Sequence, residues 1–246
     1  MDDHELAARL ADDAGRLLLE LRKGDLEGAE LGIAGDREAN ALIVGALRAA
    51  RPDDGLLSEE CIDRADRLRC RRVWIVDPLD GTREYMSGRD DWAVHVALAV
   101  DGKPQVGAVA VPAIGRLLST GVPQTVSSSR KKPIILVSRT RAPEQAEALA
   151  EHLGGELRPM GSAGAKAAAV ISGEADLYFH AGGQHEWDNC APVAVALAAG
   201  LHASRADGSA IVYNQADVRV PDLVIGRAEL ARQAVAFLEG QSARAG

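Results

Sequence analysis

The chain has 246 residues and a formal net charge of −8, with 47% hydrophobic and 26% charged residues, enough to bury a sizeable core in one large domain or two lobes of a water-soluble protein. An acidic balance with no basic stripe to offset it excludes an electrostatic nucleic-acid binder. No apolar run approaches the roughly 18 residues of a membrane span, and no basic stretch followed by an apolar one opens the sequence as a secretory leader would.

Leu6, Leu10, Leu17 and Leu21 recur at three-to-four spacing, with Asp2 and Asp3 ahead and Arg22-Lys23-Gly24 behind. This predicts an amphipathic helix with acids at its positive end, bases at its negative end and a glycine stop. A second helix is expected to open near Asp36, run through Leu42, Ile43, Ala46 and Leu47, and end before Pro52. Val73-Trp74-Ile75-Val76 reads as a buried strand. From Trp92 to Thr120, Val94, Val96 and Leu98 alternate, Asp101-Gly102 turns the chain, and Val106 to Val111 alternates again, which predicts an antiparallel meander. The small, polar and basic stretch 121–133 reads as an exposed, mobile linker, with a flap over a substrate as the alternative. Beyond it strands (134–138, 175–179, 223–226) interleave with helices (143–153, 162–172, 192–199, 228–239). Pro192, which cannot give an i−4 hydrogen bond, is placed in the first turn of its helix. The alternation is α/β, and the chain divides into a lobe of residues 1–126 and one of residues 127–246. Cys61, Cys70 and Cys190 form no even framework and no CxxC pair, and a reducing cytoplasm is expected.

The chemistry concentrates at Asp77-Pro78-Leu79-Asp80-Gly81-Thr82, directly behind the buried strand. Two carboxylates three residues apart repel each other without a cation. Pro78 fixes its own φ and pushes Asp77 into an extended conformation, so the Leu79 carbonyl is aimed by a stiff bend. Such a unit offers hard oxygen ligands to a hard cation beside a turn where a phosphate can dock. Ser58-Glu59-Glu60, Asp36 and Glu186-Trp187-Asp188 supply further acids. Taken singly, each has a bland reading, as solvated surface or a helix cap.

Together these segments resemble the inositol-monophosphatase-like superfamily of metal-dependent, lithium-sensitive phosphatases. The resemblance covers nearly the whole chain, including Gly161-Ser162-Ala163-Gly164-Ala165-Lys166. Asp-Gly-Thr-Arg-Glu-Tyr at 80–85 is similar to the bacterial 3′(2′),5′-bisphosphate nucleotidase branch. One departure is the absence of a threonine shortly before Asp36, where the sequence reads Gly32-Ile33-Ala34-Gly35.

The resemblance implies a layered αβαβα sandwich with an antiparallel N-terminal sheet and a mixed C-terminal one. It implies two or three Mg²⁺ ions: one on Glu59, Asp77 and the Leu79 carbonyl, one on Asp77, Asp80 and Asp188, and a looser one on Glu59. Thr82 would hydrogen-bond the attacking water, with Asp36 accepting from the Thr82 hydroxyl. Asp80, Gly81, Thr82, Arg83, Gly161, Ser162, Ala163 and Asp188 would face the substrate, and His180 and His185 could line the same pocket. The implied reaction is hydrolysis of the 3′-phosphate of 3′-phosphoadenosine 5′-phosphate, by a monomer or a homodimer. Inositol 1-phosphate and fructose 1,6-bisphosphate are rival substrates, and a non-catalytic binder of phosphorylated metabolites is the rival of another class.

Overall fold

A computed structural model describes residues 1–122, 124, 126 and 130–245. Helix α1 (Asp3–Leu21) starts on Asp2, whose carboxylate accepts from the Glu5 N–H while the Glu5 side chain accepts from the Asp2 N–H. Helix α2 (Gly28–Ala50) opens earlier than expected, so Asp36 lies within it and not at its start. Glycines 28, 32 and 35 hid this helix by their low propensity. Gly32 and Gly35 serve close packing instead. A Cβ on Gly32 would stand 2.7 Å from the Met86 sulfur, and one on Gly35 3.0 Å from Leu18 and 3.1 Å from Leu79.

The first sheet has the order β1 (Gly55–Ser58), β2 (Arg72–Asp80), β3 (Ala93–Val100), β4 (Lys103–Val111), β5 (Arg116–Ser119), with the short helix α3 (Thr82–Met86) after β2. The meander β3–β4–β5 is antiparallel as expected. Strand β1 corrects the expectation of a wholly antiparallel sheet: it pairs parallel to β2, because residues 59–71 carry the chain back before it re-enters. Strand β2 is covered on both faces, which is why it reads as a continuous apolar run. Trp74 and Val76 pack outward with α1 and α2, while Val73 and Ile75 pack inward.

The second sheet has the order β7 (Glu156–Met160), β6 (Ile134–Ser138), β8 (Leu177–His185), β10 (Arg219–Gly226), β9 (His202–Ser204). The pairs β6–β7 and β6–β8 are parallel, whereas β8–β10 and β10–β9 are antiparallel. Helices α5 (Ala163–Ile171) and α6 (Glu186–Ala198) share a core with both sheets, from Leu57 and Val73 to Leu136 and Tyr178. Helices α4 (Ala146–His152) and α7 (Ala228–Ala245) are associated with a core on the other face of the second sheet. The layers are therefore αβαβα.

Three boundaries differ from expectation in ways that matter below. Strand β8 continues past Phe179 to His185, because β10 pairs with it through Gly182-Gly183 by way of a register shift. Helix α6 starts at Glu186, so Pro192 sits inside the helix and Asp188 in its first turn. The preceding turn needs no N–H from Pro192 because the helix remains continuous around it, at the cost of the bond to the Asp188 carbonyl. Within the expected linker, residues 123, 125 and 127–129 lie outside the described residues; Val126 packs against the middle core and Lys132 pairs with Glu156 at 3.3 Å. Cys190 is buried, and Cys61 and Cys70 are partly buried.

Candidate active site

Strand β2 delivers two acids to one face by breaking its own register. Asp77 pairs with His95 and Asp80 with Ala93, so one extra residue is accommodated at Pro78-Leu79. In a regular strand, residues 77 and 80 would point to opposite faces. The bulge reverses that parity and turns both toward the helices between the sheets. Leu79, between them, is buried outward against Tyr85 and the α1–α2 layer. The Asp77 carboxylate accepts from the Leu79 N–H at 3.1 Å, which fixes the bend.

Asp188 arrives from the second half of the chain. At the start of α6 its carboxylate accepts from the His185 N–H at 2.5 Å. Ligand oxygens of Asp77, Asp80 and Asp188 all lie within 4.8 Å of one another. Glu59 follows β1 and extends its pairing, its N–H donating to the Val76 carbonyl at 3.2 Å, and it lines the same cleft as Asp80 and Asp188. Three buried or half-buried carboxylates meeting with no cationic side chain between them suit a hard divalent ion.

Asp80 also ties the halves together. Its Oδ2 accepts from the Ser162 hydroxyl at 2.5 Å and the Gly164 N–H at 2.8 Å, both at the start of α5, and His95 Nε2 lies 3.3 Å away. The two donors and the imidazole crowd one oxygen of the carboxylate. Ser162 holds an unusual backbone (φ 46°, ψ 137°) while its hydroxyl caps α5 on the Ala165 N–H. Lys166 Nζ, buried, donates to the Gly161 and Ser162 carbonyls at 3.0 and 2.5 Å. Gly81, at φ 89°, makes the left-handed turn into α3, and a Cβ there would press on Ser162.

The electrostatics follow from this crowding. Burial pushes Asp77 well above the usual carboxylate range, helped by the charges of Glu59 and Asp80. Glu59 is raised to about 7 by desolvation of its carboxyl and by Asp188, against a hydrogen bond from Asp77. Desolvation and Asp80 raise Asp188 to about 6. Asp80 is the exception. Burial raises it, but His95, Ser162 and Gly164 together outweigh that and leave it lowered.

Arg83, Gly161 and His180 line the cleft as expected, whereas Thr82 and Asp36 do not pair. The Thr82 hydroxyl donates to the Leu79 carbonyl at 3.1 Å and not to Asp36. Asp36 Oδ1 is buried without a hydrogen-bond partner among the described residues, and desolvation with the Glu60 charge raises its carboxyl to about 7. Arg83 is exposed on the cleft wall. The Gly161 N–H donates to Asp91 at 2.7 Å, and a Cβ on Gly161 would collide with Glu84 at 2.4 Å. His185 stacks on Trp187 at 4.6 Å. His180 is buried on the cleft wall, and among the described residues neither of its ring nitrogens has a well-formed hydrogen-bond partner. Glu186 bonds the Asn214 and Gln215 N–H groups, both at 2.7 Å, and so braces a loop.

The cleft encloses about 300 Å³. Its lining brings the carboxylates of Glu59, Asp80, Glu84 and Asp188 together with Arg83, Arg139, Arg141, Lys166, Tyr178, His180 and Gln184. Sequence reasoning missed His95, Arg139, Glu84 and Asp91. Arg139 pairs with Glu84 at 3.0 Å and with Asp91, an arrangement that no local spacing reveals. His95 did leave a signal, as the lone polar side chain in the buried run 93–99.

Comparison with known proteins now bears on this geometry. Residues 5–239 match the inositol monophosphatase family. The chain belongs to this family. A 3′-phosphoadenosine 5′-phosphate phosphatase of Mycobacterium bovis is 49% identical over 238 residues, covering 89% of this chain and 86% of that protein. The 3′(2′),5′-bisphosphate nucleotidase CysQ of Escherichia coli is 31% identical over 192 residues, covering 73% and 78%. Among solved structures, CysQ from Bacteroides thetaiotaomicron superposes with a TM-score of 0.82 at 24% identity, covering 92% of this chain and 97% of that one. In this family member the shared fold sets the acid cluster at the seam between the two sheets.

Proposed function

We propose that the chain is a Mg²⁺-dependent phosphatase that hydrolyses the 3′-phosphate of 3′-phosphoadenosine 5′-phosphate to AMP and phosphate. The observation that carries it is the cleft's lining: the carboxylates of Glu59, Asp80 and Asp188 share one cavity with Arg83, Arg141 and Lys166. A substrate with a scissile phosphate and a second anionic group suits a lining that holds both acids and bases. Two relatives named for bisphosphonucleotide substrates support the choice.

Asp77, Asp80 and Asp188, with Glu59 and the Leu79 carbonyl at the edge, would hold two or three Mg²⁺ ions. Bound there, Mg²⁺ supplies charge compensation for the phosphate and lowers the pKa of water. The chain's residues do the rest. Backbone N–H groups of Gly81 and Thr82 face phosphate oxygens. Thr82 orients the attacking water, and Asp36, with an unpaired buried oxygen and a raised pKa, takes its proton. The wall Gly161-Ser162-Ala163 receives the leaving group, with Arg83 beside it. In this reading residues 1–126 supply most metal ligands, and residues 127–246 supply Asp188 and the leaving-group pocket.

The test is phosphate release from 3′-phosphoadenosine 5′-phosphate, inositol 1-phosphate and fructose 1,6-bisphosphate, with and without Mg²⁺. The expected result is a Mg²⁺-dependent preference for the nucleotide, lost on the order of 10²-fold or more in Asp80→Asn, as when a preorganised charge is removed. A large preference for inositol 1-phosphate would overturn the substrate assignment.

A further inference from the structure

His95 is fully buried on β3, opposite Asp77 in the β2–β3 ladder. Its ring lies between three elements that each bring part of the acid cluster or its supports. Nδ1 stands 3.1 Å from the Trp187 carbonyl, one residue before Asp188 in the first turn of α6. Nε2 stands 3.3 Å from Asp80 Oδ2 and makes no well-aligned hydrogen bond. The third side is closed by α5, where a Cβ on Gly164 would come within 2.2 Å of Nε2 and 2.7 Å of the Ala93 Cβ. The same Gly164 gives its N–H to Asp80 Oδ2.

We infer that His95 is a positioning residue that fixes the placement of Asp80 relative to Asp188 and so sets metal affinity. A carbonyl only accepts, so Nδ1 donates to Trp187 and the ring orientation is fixed. The other edge of the ring then closes against Asp80 on the oxygen that Ser162 and Gly164 already hold, which keeps the carboxylate in one orientation beside Asp77 and Asp188. Gly164 is needed because any side chain would push the ring from its place between Asp80 and the Trp187 carbonyl. Groups behind the ligands of a metal site typically change metal affinity 10- to 100-fold when removed. This inference rests on the metal-site reading given above.

The experiment is calorimetric titration of the metal-free protein with Mg²⁺, with melting temperature recorded before and after metal addition. Wild type, His95→Leu, His95→Asn and Gly164→Ala are compared. His95→Leu is expected to weaken Mg²⁺ binding about tenfold or more. His95→Asn, which keeps one donor, should recover part of that loss. Gly164→Ala keeps the polar groups but displaces the ring, and should weaken binding in the same direction; it and His95→Asn carry the test if the leucine variant does not fold. Unchanged Mg²⁺ affinity in His95→Asn and Gly164→Ala, with only the metal-free melting temperature lowered, overturns the proposal and makes His95 a packing residue. A wild-type protein that binds no Mg²⁺ overturns the metal-site reading itself.

Discussion

Asp80 combines two tasks on one side chain, because its two oxygens face different partners. Oδ2 is held by Ser162 and Gly164 beside the His95 ring, and in the proposed reading the second oxygen meets the cation. Ser162→Ala removes one of those donors and the cap of α5. It should lower stability by about 1 kcal/mol, the usual worth of a capping side chain, and raise the Mg²⁺ concentration for half-activity. Denaturant unfolding and a Mg²⁺ titration check the two effects. His180 calls for a different measurement. Burial, with Lys166 and Arg141 adding to it, lowers its pKa to about 4, so a neutral ring faces the cleft near neutral pH. His180→Leu should raise KM for the nucleotide several-fold with little change in kcat, consistent with loss of about 1 kcal/mol from one hydrogen bond to the substrate. An unchanged KM would show that the ring touches nothing that binds.

Among the elements, α2 carries the most direct test of packing against propensity. Gly32→Ala in a solvated helix would stabilise it by up to about 1 kcal/mol. Here the new methyl meets Met86 at 2.7 Å and the Thr82 methyl at 3.0 Å, and overpacking of that kind costs about 1–3 kcal/mol. The expected outcome is a lower melting temperature together with reduced kcat, since Thr82 is displaced. The same glycines explain what the sequence hid. Asp36 stood out as a candidate acid but was misplaced at a helix start, because only the side chains packed on Gly32 and Gly35, from Met86 to Leu18 and Leu79, show why a helix tolerates them. The acids of β2 were legible from Asp-Pro-Leu-Asp, yet their common direction depends on a bulge visible only against β3. Strand β7, with its partly exposed Glu156–Met160, lacks the apolar alternation that betrays a strand and was missed. The start of α6 was misread because the chain tolerates Pro192 inside a helix that the middle core holds on every side.

For the whole molecule, the crowded acids predict an unusual dependence of stability on pH. Asp36 and Glu59, near 7, and Asp188, near 6, all have folded values above their ordinary ones. The folded, metal-free protein therefore binds more protons than the unfolded chain as pH falls, and its stability drops as pH rises through these values. His180 acts with the opposite sign, but only between about 4 and its ordinary value near 6.5. Between roughly pH 6.5 and 7.5 the acids dominate, so the metal-free melting temperature should fall with rising pH in that window. Saturating Mg²⁺, which replaces the protons, should flatten or reverse the slope. A scanning calorimetry series in chelator and in Mg²⁺ measures both. The α/β class was legible from the alternation of apolar runs, and the αβαβα layering from the family resemblance. The network Arg139–Glu84–Asp91–Gly161 was not, since its members come from four separate stretches of chain.

The attachment of Asp80 to the start of α5 has one more outcome. A carboxylate rooted in the first sheet is steadied by groups from the other half of the chain, so a slight slippage between the halves dismantles the ion cage while both sheets keep their ladders. Inactivation should then run ahead of unfolding: in a urea series without Mg²⁺ in excess, turnover is expected to vanish at concentrations where far-ultraviolet ellipticity is still native, and added Mg²⁺ should act as a rivet that draws the two curves together.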